Sequence, residues 1–248
     1  SLDDVKDGSD TASDGFTIMK GALAALVADG ISKATQAFKD LLTETSKASN
    51  SLQVQTGAST EEMQQFNAEM NDLYKHNYGE SLQDIADSMA KVVQNSKETD
   101  PSKIKELTKN ALILKDSFGF DVAESMRAVN MLMDQFGVNG DEAFNLIAQG
   151  AQNGLDKNGD LLDTINEYGV HYAQQGYNAE QFFNSLENGA AAGTFSIDKL
   201  GDAMKEFGIR SKDTANSTTE GFSLIGLDAD TMRDKFAAGG NSAQEESR

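Results

Sequence analysis

The sequence contains no cysteine and no tryptophan, one proline (Pro101), two histidines and few valines. Without cysteine there is no disulfide framework, no thiolate nucleophile and no cysteine-based metal site. The absence fits folding in a reducing compartment. The two histidines, His76 and His171, lie far apart, and no His-x-x-x-His pair exists, so a transition-metal site lacks its usual ligands. Scarce proline and valine, set against abundant Ala, Leu, Met, Lys, Glu and Gln, favour helix throughout. No window alternates with period two for long enough to predict a strand. Long hydrophobic runs are missing too. The most apolar region, Phe16 to Leu42, is interrupted by Lys20 and Asp29, and its uninterrupted run falls well short of the roughly 20 residues that span a bilayer. The start lacks a basic n-region and an apolar core, so no signal peptide is expected.

Positive charge is also scarce. There are 21 Lys and Arg against 40 Asp and Glu, a net charge of −19. Phosphate binding needs a basic surface, so nucleic acid is not expected as a direct partner of this segment. Anionic membrane surfaces are disfavoured on the same ground. Eight acids (Asp141, Glu142, Asp156, Asp160, Asp163, Glu167, Glu180 and Glu187) and one base, Lys157, fall between 141 and 190. They read either as a solvated face that keeps the chain soluble or as a cation-binding surface.

What is present is a recurring pattern. Gly137-Val138-Asn139-Gly140-Asp141-Glu142-Ala143 leads to Gly150, Gly176-Tyr177-Asn178-Ala179-Glu180-Gln181-Phe182 to Gly189, and Gly226-Leu227-Asp228-Ala229-Asp230-Thr231-Met232 to Gly239. Shorter starts of the same kind occur at Gly57-Ala58-Ser59 and Gly119-Phe120-Asp121. Each reads as a short helix with both ends specified. Asn139, Asn178 and Asp228 cap the free N–H groups of a first turn. Glu142 and Gln181 stand at the capping-box position, and Val138, Tyr177 and Leu227 are placed to staple onto Ala143, Phe182 and Met232. The closing glycines, Gly150, Gly189 and Gly239, are expected in the left-handed conformation. The pattern is either true structural repetition or the likeness of any capped helix to another. Neither reading needs chemistry at these positions.

A length of 248 residues suits one large or two small domains with a real core. Residues 1–15, rich in Asp, Ser and Gly, are expected to be disordered. Leu23, Leu26, Val27, Ile31, Ala34, Phe38 and Leu41 then recur at helical spacing. Ser59 caps a helix bearing Met63, Phe66, Met70 and Leu73. Leu82, Ile85, Met89 and Val92 form the next stripe, and Asp100-Pro101 starts another with a cap and a proline at N1. Asp121 with Glu124 opens a helix running to Phe136. Leu161, Leu162, Ile165 and Tyr168 follow, and Ser196 caps a helix closed by Gly208. The expectation is an all-α chain, a bundle or repeat-like array of about ten short helices. Its parts are a disordered segment 1–15, a helical part 16–118, a helical part 119–240 with Gly-bounded helices, and a disordered tail 241–248. The chain begins without Met and reads as cut from something longer.

Candidate sites are few. Asp156-Lys157-Asn158-Gly159-Asp160, with Glu167 at the twelfth position, partly matches a calcium loop. Leu161 stands where the sharp turn needs glycine, and a helix N-terminus rich in acids explains the same residues. No Gly-x-Ser-x-Gly elbow supports a Ser-His-Asp triad, and no phosphate-cradling loop follows a strand. The acid pairs Glu61–Glu62 and Glu245–Glu246 give no sign of a cleft. No catalytic, cofactor-binding or metal-binding residue is assigned.

The chain resembles the tail tape measure proteins of long-tailed bacteriophages and prophages. The resemblance is carried by Asp14-Gly15-Phe16-Thr17, by Gln53-Val54-Gln55-Thr56-Gly57-Ala58-Ser59 and by Phe118-Gly119-Phe120-Asp121-Val122-Ala123-Glu124-Ser125. It continues through Leu132-Met133-Asp134-Gln135-Phe136-Gly137, Ala148-Gln149-Gly150, Gly154-Leu155 and Gly159-Asp160-Leu161-Leu162-Asp163-Thr164-Ile165-Asn166-Glu167-Tyr168. Lys199-Leu200, Lys205-Glu206-Phe207 and Gly226-Leu227 complete an ordered run over residues 14–240. The resemblance implies a non-enzymatic virion protein that lies in the tail, sets tail length and helps to start tube assembly in the host cytoplasm. It also implies tail-tube, tail-tip and tail-assembly chaperone proteins as partners, together with self-association. It assigns no catalytic residues. Two other readings stay open: a cytosolic helical-repeat adaptor that binds a protein in a groove, and a calcium-responsive helical protein.

Overall fold

A computed structural model of the chain describes residues 31–194 and 196–246. The expectations for residues 1–30 lie outside these, as does Phe195. Twelve helices and no strand occur among the described residues, so the chain is all-α. It divides into two compact units, residues 1–123 and 124–248.

The first unit holds α1 (Ile31–Thr56), α2 (Thr60–Lys75), α3 (Leu82–Asn95) and α4 (Pro101–Phe118). Helix α3 is its centre and packs on the other three. Its sequence explains this role. Leu82, Ile85, Ala86, Met89, Ala90 and Val92 are all at most 1% exposed, too wide an apolar face for one neighbour to cover. Met63, Phe66, Met70 and Leu73 bury the expected stripe of α2. Ile104, Ala111, Leu112 and Leu114 do so for α4. Helix α1 contributes Ala48 and Leu52. Each large side chain buried here stabilises by about 1.5–3 kcal/mol. Polar ties fix the rotation of the helices. The Asp87 carboxylate on α3 accepts from Gln55 of α1 at 2.7 Å, and Lys105 of α4 reaches Glu69 of α2 at 2.9 Å.

The second unit holds α5 (Val122–Phe136), α6 (Gly140–Gln152), α7 (Leu161–Gln174) and α8 (Ala179–Ala191). It continues with α9 (Asp198–Arg210), α10 (Asn216–Leu224), α11 (Ala229–Ala238) and α12 (Gly240–Glu246). The division between units falls in the first turn of α5. Helix α7 is the centre here. It packs most extensively on α9 and also on α6, α8 and α12. An aromatic chain holds the middle: ring centroids lie 5.6 Å apart for Phe136–Phe182, 4.7 Å for Phe182–Tyr172 and 5.4 Å for Tyr172–Tyr177. Such separations and tilts suit the ring quadrupoles. A smaller cluster of Met232, Phe236 and Ala243, flanked by Phe222 and Leu227, joins α10, α11 and α12. Residues 240–246 are helical and Ala243 is fully buried, although the sequence placed a disordered tail from 241.

The recurring pattern is a corner between consecutive helices. In all five copies the glycine that opens it is left-handed: φ is 70° at Gly57, 77° at Gly119, 72° at Gly137, 83° at Gly176 and 79° at Gly226. It ends the preceding helix. At Gly176 the motif is complete, with Tyr177 N–H donating to Tyr172 O at 3.1 Å and Gly176 N–H to Ala173 O at 3.0 Å. Two residues after each glycine stands the cap of the next helix. Ser59, Asn139 and Asn178 form full capping boxes with Glu62, Glu142 and Gln181. Asp121 accepts from Ala123 N–H, and Asp228 from Thr231 N–H, both at 2.8 Å. Three residues thus close one helix and open another.

The expected ends differ in four places. Gly239 has φ of 67°, but Gly150 and Gly189 lie inside their helices. Helices α6 and α8 run on because the left-handed positions are Gly154 and Gly193, four residues later. Leu155 N–H donates to Gly150 O at 2.9 Å, and Thr194 N–H to Gly189 O at 3.2 Å. Gly150 and Gly189 serve close packing instead. A β-carbon on Gly189 would stand 2.3 Å from Leu200 Cδ1, and one on Gly150 3.0 Å from Phe183 Cε1. Gly208 is likewise internal to α9, which ends at Arg210. Ser196 does not cap α9. That helix has no side-chain cap, and the Ser196 hydroxyl donates to Asp160.

Candidate functional site

The acids of the calcium-like segment are turned to three different tasks. The Asp156 carboxylate accepts from Leu161 N–H at 3.0 Å and so caps α7 from outside. Burial raises its pKa above the usual carboxylate value, and Asp160 nearby adds to the rise. Asp160 accepts from Ser196, 36 residues away, which ties the start of α7 to the start of α9. Glu167, one face further on, lies 3.5 Å from Lys205 of α9. The three acids therefore do not converge. Among the described residues no group of three or more His, Cys, Asp or Glu is arranged to hold a metal ion.

His76 is exposed at the end of α2, with its Nδ1 2.8 Å from Asp72 O. His171 is half-buried on α7. Desolvation lowers its pKa below 6.5, and Lys205 and Lys212 lower it further, with Glu167 opposing. Its neighbour Tyr168 is 5% exposed. Burial, Asp198, Glu167 and Asp202 push its phenol up to about 12, so the hydroxyl stays protonated. Lys205 Nζ stands 5.7 Å from the ring centroid. This α7–α9 seam is a packed interface with charged edges. The Tyr172 hydroxyl points at Leu200 O, 3.4 Å away, and at Ser185.

One feature of the described surface has the shape of a binding site. A groove of about 220 Å³ runs between α6 and α8. Leu146 and Gln149 of helix α6, with Asn153 just past its end, line one side. Helix α8 lines it with Glu180, Phe183, Asn184 and Glu187. Phe183 forms the floor, being 4% exposed, and Asn153 Nδ2 donates to Glu187 Oε1 at 2.7 Å across the far end. The spacing i, i+3, i+4, i+7 on α8 places its four residues on one face. Sequence reasoning had the acids but not the groove, because a cleft between helices depends on their crossing.

Other exposed apolar side chains lie outside the groove. Leu224 is 87% and Ile225 70% exposed at the end of α10, and Ile209 is 51% exposed near the end of α9. Helix α10 buries no residue at all. No described helix is long and apolar enough to cross a membrane.

Two comparisons with known proteins bear on this chain. A family model described as phage-related minor tail protein matches residues 67–245. A stretch of 55 residues is 47% identical to a probable tape measure protein of Streptomyces phage phiC31, covering 22% of this chain and 8% of that protein. No solved structure matches the chain.

Proposed function

Because the chain belongs to the family of phage-related minor tail proteins, we propose that it is a non-enzymatic folded module of a tape measure protein, acting in the virion tail. The observation that carries this reading is the interruption of helix. A ruler of continuous helix adds about 1.5 Å per residue. Here the longest described helix has 26 residues, the others have 7 to 18, and capped corners separate them. Such a chain folds back on itself and makes a poor ruler. Tail length is set by longer helices elsewhere in the parent protein. This segment organises that protein within the tail, or contacts components that start or end the tube: tube subunits, tail-tip proteins and the assembly chaperone. Assembly takes place in the host cytoplasm. The acidic balance suits a protein that shares a channel with DNA without adhering to it.

The test is an in-frame deletion of residues 119–239 in the parent phage. Loss of tails, or tails of unchanged length with an infection defect, is the expected outcome. Normal-looking tails shortened by roughly 180 Å would make the segment part of the ruler. Tails unaffected in length and function would favour the adaptor reading.

A further inference from the structure

The α6–α8 groove has the chemistry of a receptor for a cationic helix. Glu180 and Glu187 are two turns apart on one face, about 10 Å along the axis. Neither has an ion-pair partner among the described residues, and Lys157, the one base between 141 and 190, does not line the groove. Between the two carboxylates Leu146 stands half-buried over a closed floor, Phe183, which is 4% exposed. The amides of Gln149 and Asn184 line it as well and are free to donate or accept.

A partner must match three things: a cation for each carboxylate, a spacing of about 10 Å and an aliphatic side chain between. One helical face with basic residues at i and i+7 and leucine at i+3 or i+4 supplies all three. An acidic partner would set like charges against Glu180 and Glu187, and a purely apolar helix would leave both carboxylates desolvated without compensation. We propose that this groove docks a basic amphipathic helix of another protein, its two cations on Glu180 and Glu187 and its aliphatic residue on Leu146. The proposal concerns a surface of the folded chain and stands whether or not the tail-module reading holds.

The probe is an 18-residue helical peptide with lysines at i and i+7 and leucines at i+3 and i+4 on one face. Fluorescence anisotropy with the full chain at physiological salt is expected to show saturable binding. Glu180→Gln with Glu187→Gln weakens it by roughly five- to tenfold, since each exposed pair contributes modestly. The double variant keeps its melting temperature, because glutamine at 187 still accepts from Asn153. Glu61→Gln with Glu106→Gln, which removes the same charge elsewhere, leaves affinity within about twofold. Absence of saturable binding overturns the proposal. So does equal weakening by both pairs, which would make the attraction a matter of net charge. Self-association of the chain that Glu180→Gln with Glu187→Gln abolishes, seen by sedimentation, would give the groove to a second copy and overturn it as well.

Discussion

Gly201 of α9 lies directly beneath Tyr168 of α7: a β-carbon there would stand 2.2 Å from Cδ2 and 2.8 Å from Cβ of the tyrosine. At Gly169 a β-carbon would fall 2.2 Å from Met131 Cε, the movable end of a flexible side chain. Helices α7 and α9 come this close because glycine stands where they cross.

Gly201→Ala is therefore expected to destabilise the second unit. Alanine gains about 1 kcal/mol of helix propensity over glycine, but forced overpacking costs typically 1–3 kcal/mol. The Tyr168 ring is buried and cannot swing aside freely. Gly221→Ala is the control. Gly221 sits within α10 with nothing within 4 Å of its missing β-carbon, so the substitution should stabilise by up to about 1 kcal/mol. Thermal melts of the two variants should shift in opposite directions. Equal shifts would refute the crossing account.

The corners can be tested at their caps. The Asn178 side chain accepts from Gln181 N–H at 2.8 Å, and the Gln181 side chain returns the bond to Asn178 N–H at 3.0 Å. Asn178→Ala should cost about 1 kcal/mol. Asn178→Asp should restore most of it, because aspartate also accepts at a helix N-terminus. Urea denaturation of the three proteins distinguishes a cap from a mere surface position, where both substitutions would be neutral.

The depressed pKa of His171 gives stability a pH dependence with a defined sign. The unfolded chain takes up a proton at this residue near pH 6.5, and the folded chain does so only at lower pH. Stability is thus fully present above pH 6.5 and is lost as pH falls through the folded pKa. The melting temperature of the wild type should drop between pH 7.5 and 5.5 by more than that of His171→Gln. Parallel profiles would show that the imidazole titrates alike in both states.

Calcium offers a fourth test. With Asp156 turned to Leu161 N–H and Asp160 to Ser196, millimolar calcium should leave the melting temperature unchanged. Ser196→Ala should lower stability by about 1 kcal/mol, because it strips Asp160 of a half-buried donor. A calcium-dependent rise that Asp156→Ala removes would revive the calcium reading.

Much of the fold was legible because short-range rules wrote it. The stripes of α2, α3 and α4 and the caps Ser59, Asp100, Asn139, Asn178 and Asp228 follow from neighbours three or four residues away. The limits appear at Gly150 and Gly189. A glycine after an apolar stripe looks the same in sequence whether it ends a helix or admits a neighbour. Only the later glycines, Gly154 and Gly193, and the approach of Phe183 and Leu200 decide between the two. Ser196 fails for the same reason: a hydroxyl before a helix reads as a cap, and the competing acceptor, Asp160, lies 36 residues earlier. The groove was legible only as the excess of acids between 141 and 190, of which Glu180 and Glu187 fall on α8. Its shape comes from the crossing of α6 and α8, which no local pattern encodes.

The three-residue corner has a consequence for how the chain is made. Each corner is specified within itself, and the principal partners of a helix are one or two helices away, as α1 to α3 and α7 to α9. Low sequence separation between packed elements lets folding proceed without waiting for distant segments. During synthesis, which delivers about 5–20 residues per second, the first unit can close before the second has left the ribosome. Each unit is then a knot of structure that forms from its own neighbouring helices and needs no template.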